Sequence, residues 1–317
     1  MTSQNFQVLS LDGGGMKGIF SAAVLTMIEE DFGVHVTDHF DLIAGTSTGG
    51  ILALGLAAGM RPRELLNMYI THQRDIFSSR GRRGRGVFKA RYSNEGLRSV
   101  LASVLGVKLL SESAVRLVIP AFNLDANDVY VFRTPHHERL RRDWKAPMVD
   151  VAMATSAAPT FFPGYRYEAL RLVDGGVWAN NPSMSALVEA AETCGVPLER
   201  IRMLSIGTTS ELKQRGAGLD TGGGLAWARR MDIVDVLMTG QSLAARNHCQ
   251  LLLGKERFVR LDPLVPDSLF KLDHVDSESL ISLAKSYSRT AMPELAEFAQ
   301  HTPDPYKPRY TSGDTNE

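Results

Sequence analysis

"FDLIAGTSTGGILALGLAAGM", residues 40–60, decides the fold. An apolar run of strand character, Phe40–Ala44, breaks at Gly45-Thr46-Ser47-Thr48-Gly49 and resumes as a helix-like run, Gly50–Ala58. The central serine sits in a G-x-S-x-G pattern, in which a sharp strand-to-helix turn exposes a serine oxygen near a helix N-terminus. Gly45 and Gly49 omit the side chains that would collide across such a bend. Leu42–Met60 carries no charge, and its length approaches the ~20 residues of a membrane-spanning helix. The glycines and hydroxyls at its centre instead predict a buried strand, turn and helix.

Working outward, Gln7–Leu11 is a second short apolar run, and it ends in Asp12-Gly13-Gly14-Gly15. Helical spacing follows over Gly18–Asp31. Strand, helix, strand, helix within sixty residues predicts an α/β fold of three layers, a mostly parallel sheet with helices on both faces. Right-handed crossovers then bring both glycine turns to the same edge of the sheet. Further strands are expected at Val115–Phe122, Val129–Phe132, Leu170–Val173 and Arg202–Ile206. Helices are expected at Pro62–Ile76, Asn94–Leu105, Val149–Ser156, Ser183–Cys194, Ile233–Leu252 and Glu278–Phe298. Gly216–Gly224 reads as a glycine-rich loop. No internal repeat interrupts the chain, so one domain over residues 1–300 with a flexible polar tail at 301–317 is expected.

The chain has 317 residues and is 44% apolar, enough for a substantial core. Lysine plus arginine equals aspartate plus glutamate, 35 each, so no global field favours a nucleic acid polymer. Cys194 and Cys249 are far apart and have no metal-ligand spacing, which argues against a disulfide framework and against a metal site. The first residues, MTSQNFQVLSLDGGG, lack the basic start and apolar core of a secretory leader, and a cytoplasmic location is expected.

Gly13-Gly14-Gly15-Met16-Lys17-Gly18 matches the G-x-G-x-x-G of dinucleotide sites. That reading needs an acidic residue closing the second strand, and the second strand leads into the serine turn instead. Asp174-Gly175-Gly176 closes the run Leu170–Val173. By itself it is a turn, but a carboxylate at a strand end beside glycines can also serve as a catalytic base.

GGGMKG at 13–18, GTSTG at 45–49 and DGG at 174–176, in this order and spacing, resemble the patatin-like phospholipases over residues 7–207. ATSAAP at 154–159 and DGGVWANNP at 174–182 are similar to that family's stretches around its aspartate. The resemblance implies a serine acyl hydrolase of the phospholipase A type with a Ser–Asp dyad, Ser47 as nucleophile and Asp174 as base. It implies an oxyanion hole from the segment Gly13, Gly14, Gly15 and Met16. Lys17, Gly18, Gly45, Gly49, Gly175 and Gly176 complete the motifs, and no metal is expected.

Two alternatives stand beside it. A Ser–Asp–His triad would add His248 or His274 in the usual chain order. A non-catalytic module would hold a nucleotide phosphate on the glycine turns.

Residues 80–91, RGRRGRGVFKAR, are basic without an acid. Arg80, Arg82, Arg83, Arg85, Phe88, Lys89 and Arg91 form either a solvated loop or a contact for an anionic membrane surface or a ligand. Peripheral binding to the inner face of the cell membrane is expected of the active enzyme. The opening LSLDGGGMKG and the DGGVWANNP stretch are similar to stand-alone bacterial patatin-like effectors of anti-phage defence. That similarity implies a cyclic di- or trinucleotide activator and self-association, with the arginine loop and residues 225–300 as the place for such a site.

Overall fold

A computed structural model describes residues 5–77, 90–212, 220–221, 232–266 and 275–311. Strands β1 (Phe6–Leu11) and β2 (Leu42–Gly45) are parallel neighbours, with Leu11 level with Gly45. Both glycine turns therefore leave the sheet at the same edge, as the crossover rule requires. On its other side β1 pairs in parallel with β7 (Ile201–Ile206), and β7 with β9 (Phe258–Leu261). β2 pairs in parallel with β3 (Arg116–Asn123).

Beyond β3 the sheet turns antiparallel, through β4 (Asp128–Arg133), β6 (Leu170–Asp174) and the short β5 (Tyr165–Tyr167). These form an eight-stranded sheet; β8 (Ser210–Leu212) and β10 (Leu264–Pro266) make a small parallel pair beside it.

β1 is buried along its whole length because both of its faces are covered. Leu9 and Leu11 enter one core with α1 (Gly18–Phe32), α2 (Thr48–Ala57), α3 (Pro62–Ile76) and α9 (Ser277–Thr290). Phe6 and Val8, pointing the other way, meet Ala186 and Leu187 of α7 (Ser183–Val188) and Cys249 of α8 (Asp232–Leu253). This period-two division between two cores produces the three layers. The remaining helices are α4 (Asn94–Leu105), α5 (Met148–Thr155), the short α6 (Gly176–Ala179) and α10 (Met292–Phe298).

The C-terminal helix expected over Glu278–Phe298 is two helices, divided at Ala291. Pro293 has no amide to donate and disfavours helical geometry at the residue before it. The helix expected over Ser183–Cys194 changes hydrogen-bond pattern after Val188 and continues as a π-helix, Glu189–Thr193.

Residues 301–311, expected as part of a flexible tail, are strapped to the body. His301 Nε2 lies 2.7 Å from Asp41, the Arg309 amide donates to Pro135 at 2.7 Å, and the Tyr310 hydroxyl donates to the Glu138 carbonyl at 2.6 Å. No described helix is long and apolar enough to cross a membrane. Residues 216–219 and 222–224 of the expected glycine loop lie outside the described residues.

Candidate active site

Every residue from Phe40 to Ala57 is buried except Ser47. The turn itself is responsible. Ser47 has φ 54° and ψ −121°, a backbone conformation that costs a non-glycine residue ~1–3 kcal/mol. A Cβ on Gly45 would run into the Gly49 carbonyl, and one on Gly49 into the Leu11 carbonyl, so both positions require glycine. The bend is clamped from two sides: the Ser47 amide donates to Thr155 Oγ1 at 3.1 Å, and the Thr46 hydroxyl donates to the Ala179 carbonyl at 2.6 Å. α2 starts at the next residue and adds the positive end of its dipole beneath Ser47.

The register of β3 brings the carboxylate to this serine. β4 pairs with Val118–Asn123, overlapping both β2, which takes Arg116–Val118, and β6, which takes Ala121–Asn123. Since β4 occupies one edge of β3, β2 and β6 share the other. They approach end to end, and their facing ends at Val118 and Ala121 are roughly 10 Å apart at ~3.3 Å per residue. Ser47 follows the end of β2 and Asp174 ends β6, so both side chains fall in that gap. The Ser47 hydroxyl lies near enough to the Asp174 carboxylate to favour its ionised form.

Asp174 also accepts the Gly176 amide at 2.7 Å. Burial raises its carboxyl to about 6, with the bonds from Ser47 and Gly176 opposing the rise. Such a carboxylate is ionised at neutral pH yet more basic than a solvated aspartate. A Cβ on Gly175 would strike Pro120 of β3, so this glycine sets how closely the Asp174 turn approaches β3.

The segment from Gly13 borders the same gap. The Gly13 amide donates to the Asn180 carbonyl at 2.9 Å, which removes it from the expected set of oxyanion donors; Gly13 serves close approach instead, packing on Asn180 and Ser47. The amides of Gly14, Gly15 and Met16 bond to no group among the described residues. Gly14 sits against Thr208, whose hydroxyl donates to the Gly13 carbonyl at 2.9 Å, and Gly18 sits against Thr48. Lys17 is not a solvated lysine: its ammonium reaches the Thr209 carbonyl at 3.3 Å and Glu211 at 3.4 Å.

Several supporting residues carried no sequence signal. Arg260 of β9 grips Asp12, the residue before the glycines, with bonds of 2.8 and 2.6 Å, and also reaches Asp262 at 3.0 Å. Burial works against the Arg260 charge, but its two carboxylates outweigh this and raise its pKa. Burial likewise lifts Asp12 to about 6 despite Arg260, so the pair is ionised at neutral pH. From α8, Gln241 accepts the Asn180 amide at 3.1 Å and donates to the Gly176 carbonyl at 2.8 Å, pinning the Asp174 turn from above.

His248 lies exposed on α8, and no described histidine is among the groups that act on the Asp174 carboxyl. His274 lies outside the described residues. So do Arg80, Arg82, Arg83, Arg85, Phe88 and Lys89, while Arg91 donates its amide to Thr160 at 3.0 Å and stacks 5.4 Å from the Phe161 ring centroid. No group of metal-ligating side chains occurs among the described residues.

A parallel α/β sheet with a strained serine turn, a buried carboxylate and free amides beside it defines a serine hydrolase architecture. A family model described as patatin-like phospholipase matches residues 9–187. A cGAMP-activated phospholipase of Pseudomonas aeruginosa is 34% identical over 282 residues, 87% of this chain and 84% of that one. Another, from Vibrio cholerae, is 33% identical over 332 residues, 92% of each chain. The crystal structure of VipD from Legionella pneumophila shares the fold at TM-score 0.53 and 12% identity, covering 93% of this chain and 67% of that one. The chain belongs to the patatin-like phospholipase family and is a lipid acyl hydrolase.

Proposed function

We propose that the chain releases fatty acids from membrane phospholipids through Ser47 and Asp174, with the amides of Gly14, Gly15 and Met16 as the oxyanion hole, and that a cyclic nucleotide switches it on. The observation that carries the chemistry is the nearness of the one unburied hydroxyl of the turn to a buried carboxylate whose ionised form it favours.

Ser47 Oγ attacks the ester carbonyl while its proton passes to Asp174. The tetrahedral oxyanion forms against the three free amides. Asp174 returns the proton to the departing alcohol, leaving an acyl-Ser47 ester. Water then attacks this ester, giving its proton to Asp174, which passes it to Ser47 Oγ as the acyl–oxygen bond breaks and the fatty acid leaves. Basicity raised by burial makes an aspartate serviceable in this part without an imidazole. The switch is supported by the printed function of the relatives, cGAMP-activated phospholipases over most of the chain. The reaction places the enzyme at the membrane surface, and self-association is the economical way to keep it silent or to turn it on.

The test is fatty-acid release from phospholipid vesicles by wild type, Ser47→Ala and Asp174→Asn, each with and without cyclic GMP–AMP. Release that needs both side chains and the nucleotide supports the whole reading. Release without nucleotide removes the switch, and release by Ser47→Ala removes the dyad.

A further inference from the structure

A second built site lies outside the dyad. The loop from Arg133, at the end of β4, through Lys145 reads RTPHHERLRRDWK, and its arginines converge. Arg133, Arg139, Leu140, Arg141, Arg142 and Asp143 line a cavity of about 150 Å³, with four guanidinium groups and one carboxylate in its wall. Neither Ser47 nor any glycine of the oxyanion segment touches it.

The charges do not cancel. Arg133 is paired with Glu189 at 3.1 Å, and Arg142 with Asp143 at 3.1 Å. Among the described residues the Arg139 guanidinium meets only the Thr193 hydroxyl, at 2.7 Å, and that of Arg141 only the Glu138 carbonyl and the Tyr310 hydroxyl, at 3.1 and 2.9 Å. Two guanidinium groups are thus held in fixed positions by neutral acceptors, with positive charge left over on a chain of zero formal net charge. Both residues are exposed and so within reach of a ligand, and orientation before binding lowers the entropy lost on binding.

Aromatic rings stand beside the same guanidiniums: Tyr310 lies 5.6 Å from Arg141 and Tyr130 lies 4.0 Å from Arg142. Arg133 and Arg139 also anchor, through Glu189 and Thr193, the π-helical segment Glu189–Thr193, a rare conformation that often marks functional sites. Guanidinium forks match phosphate oxygens, and of the two rings the half-buried Tyr310 is the one open to a base, Tyr130 being buried beneath Arg142.

We propose that this cavity is a ligand site distinct from the dyad, and that it takes a phosphodiester group of a cyclic dinucleotide. The inference rests on the cyclic-nucleotide reading above and gives it a location. At about 150 Å³ the cavity admits one phosphate with its sugar, so the rest of the ligand lies along Tyr310 and the strap 301–311. The segment that Arg133 and Arg139 anchor also leads toward the active site. The helical run Ser183–Thr193 spans roughly 15 Å. At its start the Ser183 hydroxyl bonds Ser10 and Ser205 at 2.9 Å each, and Asn180, just before it, holds the Gly13 amide.

The experiment measures equilibrium binding of cyclic GMP–AMP, cyclic di-GMP, cyclic di-AMP and cyclic UMP–AMP to the full chain, at low and high salt. It compares wild type with the double variants Arg139→Ala/Arg141→Ala and Arg139→Lys/Arg141→Lys, and thermal unfolding checks each fold. Sedimentation with phosphatidylglycerol vesicles is run beside it. The expected result is one nucleotide bound by wild type, at least tenfold weaker in the alanine variant, intermediate in the lysine variant, and weakened by salt.

Equal nucleotide binding by wild type and both folded variants overturns the location while leaving the switch intact. Loss of vesicle binding with nucleotide binding unchanged overturns it in favour of a lipid headgroup. No binding of any nucleotide to wild type overturns this site and the switch together, and Ser47-dependent release from vesicles then still decides the lipase separately.

Discussion

Replacing Asp174 by asparagine separates the carboxylate's chemistry from its effect on the fold. Asp174 is 5% exposed, and burial raises its carboxyl from 3.8 to about 6. A shift of about two units corresponds to ~3 kcal/mol between the protonated and ionised forms. Because the folded pKa is the higher one, the folded chain holds this proton more tightly than the unfolded chain does. The resulting stability is complete below about pH 4 and is lost as pH rises through about 6.

Asparagine has the same shape, keeps an oxygen for the Gly176 amide and has no proton to lose. Its advantage over wild type therefore grows by ~3 kcal/mol between about pH 4 and pH 7, a gain of several degrees in Tm. The change with pH is the informative quantity. A local misfit of the amide contributes equally at every pH, and other titrating groups, Asp12 among them, cancel between the two proteins. Denaturant unfolding of both proteins across this range is the assay. A difference that stays flat with pH, or shrinks as pH rises, refutes burial as the source of the raised pKa. The companion kinetic result is a wild-type kcat/KM that falls tenfold per pH unit below about 6.

Ser47→Ala abolishes fatty-acid release by roughly 10³-fold or more, whereas Ser47→Gly, equally inactive, stabilises the fold by about 1 kcal/mol because its φ of 54° suits glycine; thermal unfolding without that gain contradicts the strained turn. Gly14→Ala drives a methyl into Thr208, displaces the free amides and lowers kcat on a soluble short-chain ester by ~10²–10³; an unchanged kcat removes the segment from the oxyanion hole. Arg260→Leu leaves Asp12 and Asp262 with no counter-charge and destabilises the chain by about 3–5 kcal/mol in denaturant titration; a loss under about 1 kcal/mol means that the pair is not holding the glycine segment.

What was legible in the sequence was whatever is decided within a few residues. Gly45, Ser47 and Gly49 declare a strained turn because each collision they avoid lies inside the turn or at the adjacent end of β1. The strands β1, β2, β3 and β7 announce themselves as short apolar runs because they are buried on both faces. Asp174 by itself was only a turn residue, and its partner lies far away in sequence. Asn180 stood in the quoted DGGVWANNP stretch, yet nothing local says that its carbonyl would take the Gly13 amide. Arg260, Thr208 and Gln241 are ordinary residues on their own elements and act only through contacts between distant segments. The RLRR run at 139–142 is basic in the sequence too, but only the fold sets its arginines against Thr193 and Tyr310.

Direct contact between serine and aspartate follows from one topological feature. In a sheet that is parallel throughout, all strands deliver their C-terminal ends to the same edge, side by side. A nucleophile and an acid on different strands then stand a strand spacing or more apart, which a bridging imidazole fills. Here β6 runs antiparallel to β3 on the edge it shares with β2, so its C-terminal end meets the serine turn head-on. The carboxylate arrives beside Ser47 without a third side chain, and no imidazole stands between them among the described residues. The two-residue chemistry proposed for Ser47 and Asp174 thus rests on strand direction, and burial at that junction raises the aspartate toward the basicity which that role needs.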